Sequence, residues 1–168
     1  MALKETIAFA GIPNIASCAT YIIKLAQEHY PLLLVSSPDN NLEELVDQVL
    51  RHVPEATVDV MACAKDSCWE ADIIVVVGNT SLNEAFLDKI KAVSTQKIVV
   101  GLWLDKVSQD KTYPNQALEH LLPHSKVVLA RHEEGTDEVY VDGADEEAVL
   151  TVVNMAKQLG INPLYQNG

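Results

Sequence analysis

Short apolar runs that alternate with segments of helical periodicity constrain the fold of this chain more than any other feature. The runs are continuous rather than alternately polar and apolar, so we expect strands that are buried on both faces of a sheet. The predicted strands are Thr6–Ala10, Leu32–Ser36, Thr57–Met61, Ile73–Gly78, Lys97–Leu102, Lys126–Ala130 and Glu138–Asp142. Buried strands joined by helices predict a parallel sheet.

The segments between the runs carry apolar residues at the spacing of amphipathic helices. The predicted buried stripes are Ile15, Cys18, Ala19, Ile22, Leu25 and Ala26; Leu42, Leu45, Val46, Val49, Leu50 and Val53; Leu82, Ala85, Phe86, Ile90 and Val93; and Ala148, Val152, Met155, Ala156 and Leu159. Asp145 is positioned to cap the last helix and Gly160 to end it. The pattern predicts an α/β fold with a doubly wound, mostly parallel sheet and helices on both faces. We expect one domain over residues 1–168, with the first strand central between the second and the fourth.

The charge of the chain limits its partners. Its 24 acidic and 12 basic side chains give a formal net charge of −12. This field repels phosphate backbones and anionic lipid surfaces, so we expect neither nucleic acid nor a membrane as partner. The three cysteines have spacings unlike those of zinc sites and predict reduced thiols. We therefore expect a cytoplasmic protein that binds a small molecule and no metal. A homodimer is compatible with these features.

The turn after the first strand reads Gly11-Ile12-Pro13-Asn14-Ile15-Ala16. It matches the Gly-x-Gly-x-x-Gly/Ala fingerprint for dinucleotides at the first and third small positions. Gly11 permits a tight turn, and the amides at the start of the helix suit a pyrophosphate. Pro13 replaces the middle glycine, which adds a ring and removes an N–H. Two interpretations stay open: a dinucleotide site, or a turn that only begins a helix with proline at an early position.

Ser36 and Ser37 stand where the fingerprint has an acidic residue for the ribose of NAD or a nearby arginine for the 2′-phosphate of NADP. Two hydroxyls can hydrogen-bond a phosphate and do not repel it, so this pair favours NADP. The alternative is an ordinary turn leading into the next helix. Ligands of doubly wound sheets bind at the carboxyl ends of the strands, which directs attention also to the segment Gly78–Ser81 after the fourth strand.

Several segments together resemble one family. The start Ile7–Asn14 is similar to the Ile-x-Gly-x-Gly-Asn start of the NADP oxidoreductases that use deazaflavin coenzyme, and of the related pyrroline-5-carboxylate reductase N-terminal domains. Ala71–Val77 and Lys97–Val100 resemble the family's fourth and fifth strands. Val141–Ala148 and Leu159–Pro163 resemble its closing helix and Leu-Gly-Phe-x-Pro ending. The resemblance spans nearly the whole chain and implies a Rossmann-like domain that binds NADP and transfers hydride.

The resemblance also implies a set of cofactor-binding residues. These are Gly11, Ile12, Pro13, Asn14 and Ile15 at the pyrophosphate, Ser36 and Ser37 at the 2′ end of the adenosine, and Gly78, Asn79 and Thr80 beside the nicotinamide ribose. The chain departs from the family at Pro13, at the missing arginine after Ser36, and at the Gly-Asn-Thr end of the fourth strand. Two hypotheses follow. One is an NADP-dependent oxidoreductase with an unidentified hydride acceptor, and the other is a non-catalytic protein of this fold that binds a smaller nucleotide or serves as an interaction scaffold.

No residue is assigned a catalytic or metal-binding role. His120 and His124 lack a carboxylate at zinc spacing and predict a solvated helix end. Trp103 and Tyr113 fit either an aromatic wall for a ligand ring or, more commonly, core packing.

Two polar segments complete the expectations for the carboxyl edge of the sheet. The segment Asp105–Gln116 predicts a long loop over that edge. The segment Arg131–Gly135 follows the sixth strand and either faces the ligand cleft or, as we favour, forms a charged surface loop.

Overall fold

The computed structural model describes residues 4–10, 18–35, 42–78, 84–103, 114–132 and 135–165. The strands within these ranges are β1 Ile7–Ala10, β2 Leu32–Val35, β3 Val58–Met61, β4 Ile73–Gly78, β5 Ile98–Trp103, β6 Lys126–His132, β7 Glu138–Gly143 and β8 Asn162–Leu164. The helices are α1 Ala19–Gln27, α2 Leu42–His52, α3 Ala64–Glu70, α4 Glu84–Ile90, α5 Pro114–Leu121 and α6 Glu146–Gln158. Strands and helices therefore alternate from β1 to β6, as the sequence predicts.

The described strands form one sheet in the order β3-β2-β1-β4-β5-β6-β7-β8. β1 pairs in parallel with β2 on one side and with β4 on the other, and its residues Ile7–Ala10 are all buried. The prediction of a central first strand is confirmed, and the strand is buried from Ile7 onward, whereas Thr6 precedes it and is half-buried. The order of the first six strands is that of the doubly wound Rossmann fold, so the predicted fold class is also confirmed.

The far side of the sheet differs from the sequence prediction. β7 runs antiparallel to β6, and β8 continues the sheet in parallel with β7. The prediction of seven strands omits β8, because this short strand contains Pro163 and forms no apolar run. In β7 the side chains of Val139 and Val141 are buried, whereas Tyr140 and Asp142 are exposed. This alternation is typical of an antiparallel strand with one open face.

Helices cover both faces of the sheet. α1, α2 and α6 pack on one face in a cluster that includes Phe9 and Val75. α3, α4 and α5 pack on the opposite face in a cluster that includes Ala8 and Ile74. Neighbouring residues of one strand belong to different clusters because successive side chains of a strand point to opposite faces.

The predicted stripes of α1 and α6 face the core. Cys18, Ile22, Leu25 and Ala26 are buried at α1, while Ile15 lies outside the described residues. At α6, Asp145 Oδ1 accepts a hydrogen bond from the Ala148 amide at 2.9 Å, and Gly160 has φ +75° just after the helix. The predicted cap and the predicted glycine end of this helix are therefore both confirmed.

Four local expectations are corrected. β3, predicted among the strands buried on both faces, lies at the edge of the sheet, and its residues Asp59 and Val60 are exposed. Leu50 on α2 is 37% exposed, so the buried stripe of this helix is narrower than predicted. On α4, Ala85 is exposed and Leu87 is buried instead, because the helix turns Leu87 and Ile90, three residues apart, toward the sheet. α5 begins at Pro114, inside the predicted loop, since proline is tolerated at the first position of a helix.

Candidate functional site

The strand order reverses between β1 and β4, and this reversal defines the candidate site. Ala10, the last residue of β1, pairs with Val76, and β4 continues past this pair to Gly78. β2 ends at Val35 on the other side of β1. Adjacent strands lie about 4.8 Å apart, so the chain leaves these three strand ends within about 10 Å along the same edge. In open α/β sheets a ligand binds at this position.

One predicted site residue lies in the described part of the chain, namely Gly78, the last residue of β4. The other predicted residues lie outside the described ranges: Gly11, Ile12, Pro13, Asn14, Ile15, Ser36, Ser37, Asn79 and Thr80. Their assignment to a cofactor stays a prediction. The described strand ends that precede them belong to the three adjacent strands β2, β1 and β4.

Beyond β4, one row of paired residues crosses the carboxyl edge of the sheet. Gly78 pairs with Trp103, Trp103 with Arg131, Arg131 with Tyr140, and Tyr140 with Leu164. We call this set the edge row. Paired residues of neighbouring strands point to the same face, so the edge row brings two aromatic side chains and an arginine together on the face that carries α5.

The Trp103 side chain packs into the core. It is 7% exposed and lies over Gly101, which precedes it on the same face of β5. A Cβ atom at Gly101 would overlap Trp103 Cζ3 and lie 3.0 Å from Leu118 Cδ2 of α5. Glycine is therefore required here for the indole to fold back against the sheet. Of the two interpretations of Trp103, core packing is confirmed, and Tyr113 lies outside the described residues.

A tyrosine and a histidine meet near the carboxyl end of β6. The Tyr21 hydroxyl in the first turn of α1 hydrogen-bonds His132 Nδ1, and the two rings are edge-on with centroids 5.6 Å apart. His132 Nε2 donates to the Thr136 carbonyl oxygen at 2.6 Å. A carbonyl can only accept, so in the neutral ring Nε2 carries the proton and Nδ1 accepts from Tyr21. This pair ties the start of α1 to the end of β6.

The expectation of a surface loop at Arg131–Gly135 is wrong for its first two residues. Arg131 and His132 belong to β6, which is longer than predicted because both residues pair with β7. Sequence reasoning also missed Tyr21, which is 111 residues away from its partner His132. The available signal was the position of Tyr21 one turn into the helix that follows the fingerprint.

A second polar cluster lies at the opposite, amino edge of the sheet. Lys97 Nζ donates to the carbonyl oxygens of Cys68 and Trp69 at 2.7 and 2.6 Å, where a cation is favoured at the end of α3. Burial lowers the pKa of Lys97, and this effect outweighs the charges of Cys68 and Asp72, which raise it. Burial also raises the pKa of the Cys68 thiol to about 12. We interpret this cluster as structural, because it anchors α3 on the side away from the strand-order reversal.

The described residues contain no group of three or more His, Cys, Asp or Glu side chains arranged to hold a metal ion. Among the helices described above, none is both long and apolar enough to cross a membrane.

Comparison with known proteins shows the fold. No protein-family model matches the sequence, and no curated protein matches it. Solved structures, in contrast, do match this chain. The N-terminal domain of HmdIII from Methanocaldococcus jannaschii has a TM-score of 0.71 at 12% identity, over 98% of this chain and 100% of that chain. A protein provisionally assigned as an F420-dependent NADP reductase, from Arthrobacter sp. FB24, has a TM-score of 0.69 at 18% identity, over 96% of this chain and 84% of that chain.

Pyrroline carboxylate reductase from Plasmodium falciparum, solved with NADP bound, has a TM-score of 0.66 at 14% identity, over 99% of this chain. The chain spans 59% of that reductase, and 46% of a UDP-glucose dehydrogenase from Pyrobaculum islandicum. Both classes of reductase to which the sequence motifs point are thus among the similar structures. The fold implied by the sequence resemblance is confirmed.

Proposed function

We propose that this chain is a dinucleotide-binding oxidoreductase domain that holds a nicotinamide dinucleotide and prefers NADPH to NADH. The observation that carries the proposal is that β1 ends at Ala10, at the reversal of strand order, directly before the segment Gly11–Ala16 of the sequence. The NADP-bound reductase of the same fold supports it. The reduced state predicted for the cysteines supports a cytoplasmic location, and a homodimer stays compatible with the proposal.

The residues of the chain bind and orient the ligand in this proposal. The amides of Asn14 and Ile15 receive the pyrophosphate, and the hydroxyls of Ser36 and Ser37 receive the 2′-phosphate. Asn79 is assigned with Thr80 to the nicotinamide ribose. When bound, the cofactor supplies the hydride, and the protein supplies position.

Thermal unfolding with NADPH, NADH, AMP or no ligand tests the proposal. A ligand that binds only the folded chain raises the melting temperature in proportion to the logarithm of its concentration above Kd. We expect the largest rise with NADPH, a smaller rise with NADH and the smallest with AMP. A larger rise with NADH than with NADPH would contradict the role given to Ser36 and Ser37. No rise with either dinucleotide would contradict the proposed function.

Pro13→Gly tests the turn itself. The change removes the proline ring and restores an N–H, so we expect NADPH to bind more tightly, as measured by calorimetric titration. Pro54→Gly is the matched control, because Pro54 is exposed in the turn between α2 and β3, at a distance from the proposed site. This control should leave the affinity unchanged. An affinity that Pro13→Gly does not improve would mean that the turn holds no pyrophosphate.

The double variant Asn79→Ala with Thr80→Ala tests the other end of the cofactor. Each lost hydrogen bond between neutral groups should weaken NADPH binding by about 0.5–1.5 kcal/mol, with little change in the stability of the free protein. A lower melting temperature with unchanged affinity would instead show that the pair only caps the next helix.

The second candidate function is a non-catalytic protein of this fold that binds a smaller nucleotide or acts as a scaffold. Pro13 favours it, because this residue removes an N–H at the position where the fingerprint brings the backbone to the pyrophosphate. A melting temperature that AMP raises more than NADPH would support this candidate over the first.

A further inference from the structure

A groove lies on the face of the sheet where β6, β7 and β8 meet, away from the predicted dinucleotide turns. Its volume is about 450 Å³, in the range of small-molecule sites. The side chains that matter here are Leu129, Arg131, Tyr140, Asp142, Leu164 and Tyr165. Helix α6 packs on the opposite face of these strands, and Tyr140 and Asp142 are exposed on the groove side.

Among the described residues that line this groove, Arg131 is the one cation, and it is one of two arginines in the chain. Its guanidinium carbon lies 5.1 Å from the centre of the Tyr140 ring. Its Nε is buried without a hydrogen-bond partner. A buried donor without an acceptor is rare and unfavourable, so this guanidinium is suited to an anion from outside.

The sheet fixes the orientation of Arg131. It stands in the edge row between Trp103 and Tyr140, which are its partners on β5 and β7. The guanidinium is planar, and contact with an aromatic ring holds this plane in one orientation, with the N–H groups along the edge of the guanidinium free to donate. This planar fork matches the two oxygens of a carboxylate.

The rest of the groove decides which anion fits. Leu129 and Leu164, with the tyrosine rings, form apolar walls that favour a flat, apolar ligand body. The Asp142 carboxylate lines the same groove, and the chain carries a formal net charge of −12, so a ligand with one negative charge is favoured over a phosphate ester with two.

We infer that this groove is a binding site for a small planar monocarboxylate, with the carboxylate on Arg131 and the planar body lying across Tyr140 and Leu164. The groove lies on β6, β7 and β8 and not at the reversal of strand order, and Arg131 is two strands away from Gly78, about 10 Å along the sheet. It does not depend on a bound dinucleotide.

Calorimetric titration of the full chain with benzoate, without dinucleotide, tests the site. We expect benzoate to bind in the millimolar range, as befits so small a ligand. Benzamide has the same shape without the charge, phenyl phosphate has a second charge, and acetate lacks the ring, so each should bind more weakly. Equal binding of benzamide and benzoate would overturn the role of Arg131, and tighter binding of phenyl phosphate would overturn the preference for a carboxylate.

Arg131→Met removes the charge and keeps much of the side-chain length, and it should weaken benzoate binding about tenfold or more. Arg51→Met is the matched control, because Arg51 is exposed on α2, and it should leave binding unchanged. An unchanged affinity in Arg131→Met would refute the site.

Amide chemical shifts of the parent protein give a reading that does not depend on how well a variant folds. Benzoate should shift the amides of Arg131, Tyr140 and Leu164 and leave those of α2 in place. Shifts confined to other parts of the chain, or no binding at all, would overturn the inference.

Discussion

The packing of Trp103 on Gly101 gives the sharpest quantitative prediction. In Gly101→Ala, the new methyl group overlaps Trp103 Cζ3 and lies 3.0 Å from Leu118 Cδ2. Overpacking of this kind destabilises proteins by about 1–3 kcal/mol. Replacing glycine also reduces the conformational entropy of the unfolded chain, which stabilises the folded state by about 0.4–1 kcal/mol. We therefore expect a net loss of about 1–2 kcal/mol in the free energy of unfolding, which in a chain of this length lowers the melting temperature by several degrees.

A double-mutant cycle with Trp103→Leu isolates the cause. Urea unfolding, followed by circular dichroism, is measured for the parent, the two single variants and the double variant. The smaller leucine leaves room for the new methyl group, so Gly101→Ala should be neutral or slightly stabilising in the Trp103→Leu background. An equal loss of stability in both backgrounds would show that the indole is not what the methyl group meets.

Three further predictions concern thiols and the Tyr21–His132 pair. Cys63 is exposed, whereas Cys18 and Cys68 are buried, so an aromatic disulfide reagent should react rapidly with one thiol and with the other two only after denaturation. Burial raises the pKa of Cys68 from 9.0 to about 12, so above pH 9.0 the unfolded chain loses this proton first and stability falls until about pH 12. Cys68→Ala should therefore show a shallower decline in urea unfolding above pH 9.0 than the parent. Tyr21→Phe should lower the free energy of unfolding by about 0.5–1.5 kcal/mol, the worth of its hydrogen bond to His132, and a loss below the measurement error would count against that bond.

The sequence predicts the central part of the fold because each element there satisfies a local rule. The runs Ile7–Ala10 and Ile73–Val77 are apolar throughout and therefore have to be buried on both faces, which makes them interior strands. The cap at Asp145 and the glycine at Gly160 similarly mark the ends of α6. The part of the sheet formed by β7 and β8 is harder to predict from the sequence. β8 is short and contains Pro163, so no strand pattern is visible there, and the strand forms because β7 is available to pair with it.

The candidate site is less predictable for a different reason. The fingerprint turn is a contiguous segment, so a pattern can indicate it. The pairs Tyr21–His132 and Arg131–Tyr140 arise only from the register of strands and the placement of helices. Such contacts carry no periodicity in the sequence. They become visible once β6 is seen to pair antiparallel with β7 and to extend to His132.

Because of the proline in β8, the two edge strands of the sheet differ in their ability to pair with a strand of another chain. The Asn162 amide donates to the Asp137 carbonyl oxygen at 2.7 Å, so the next position, Pro163, directs its nitrogen away from β7. That nitrogen has no hydrogen to offer an incoming strand. β3, at the opposite side, keeps its outward amides, and Val60 there is 43% exposed. Any second chain that lengthens this sheet, in assembly or in aggregation, should therefore add next to β3.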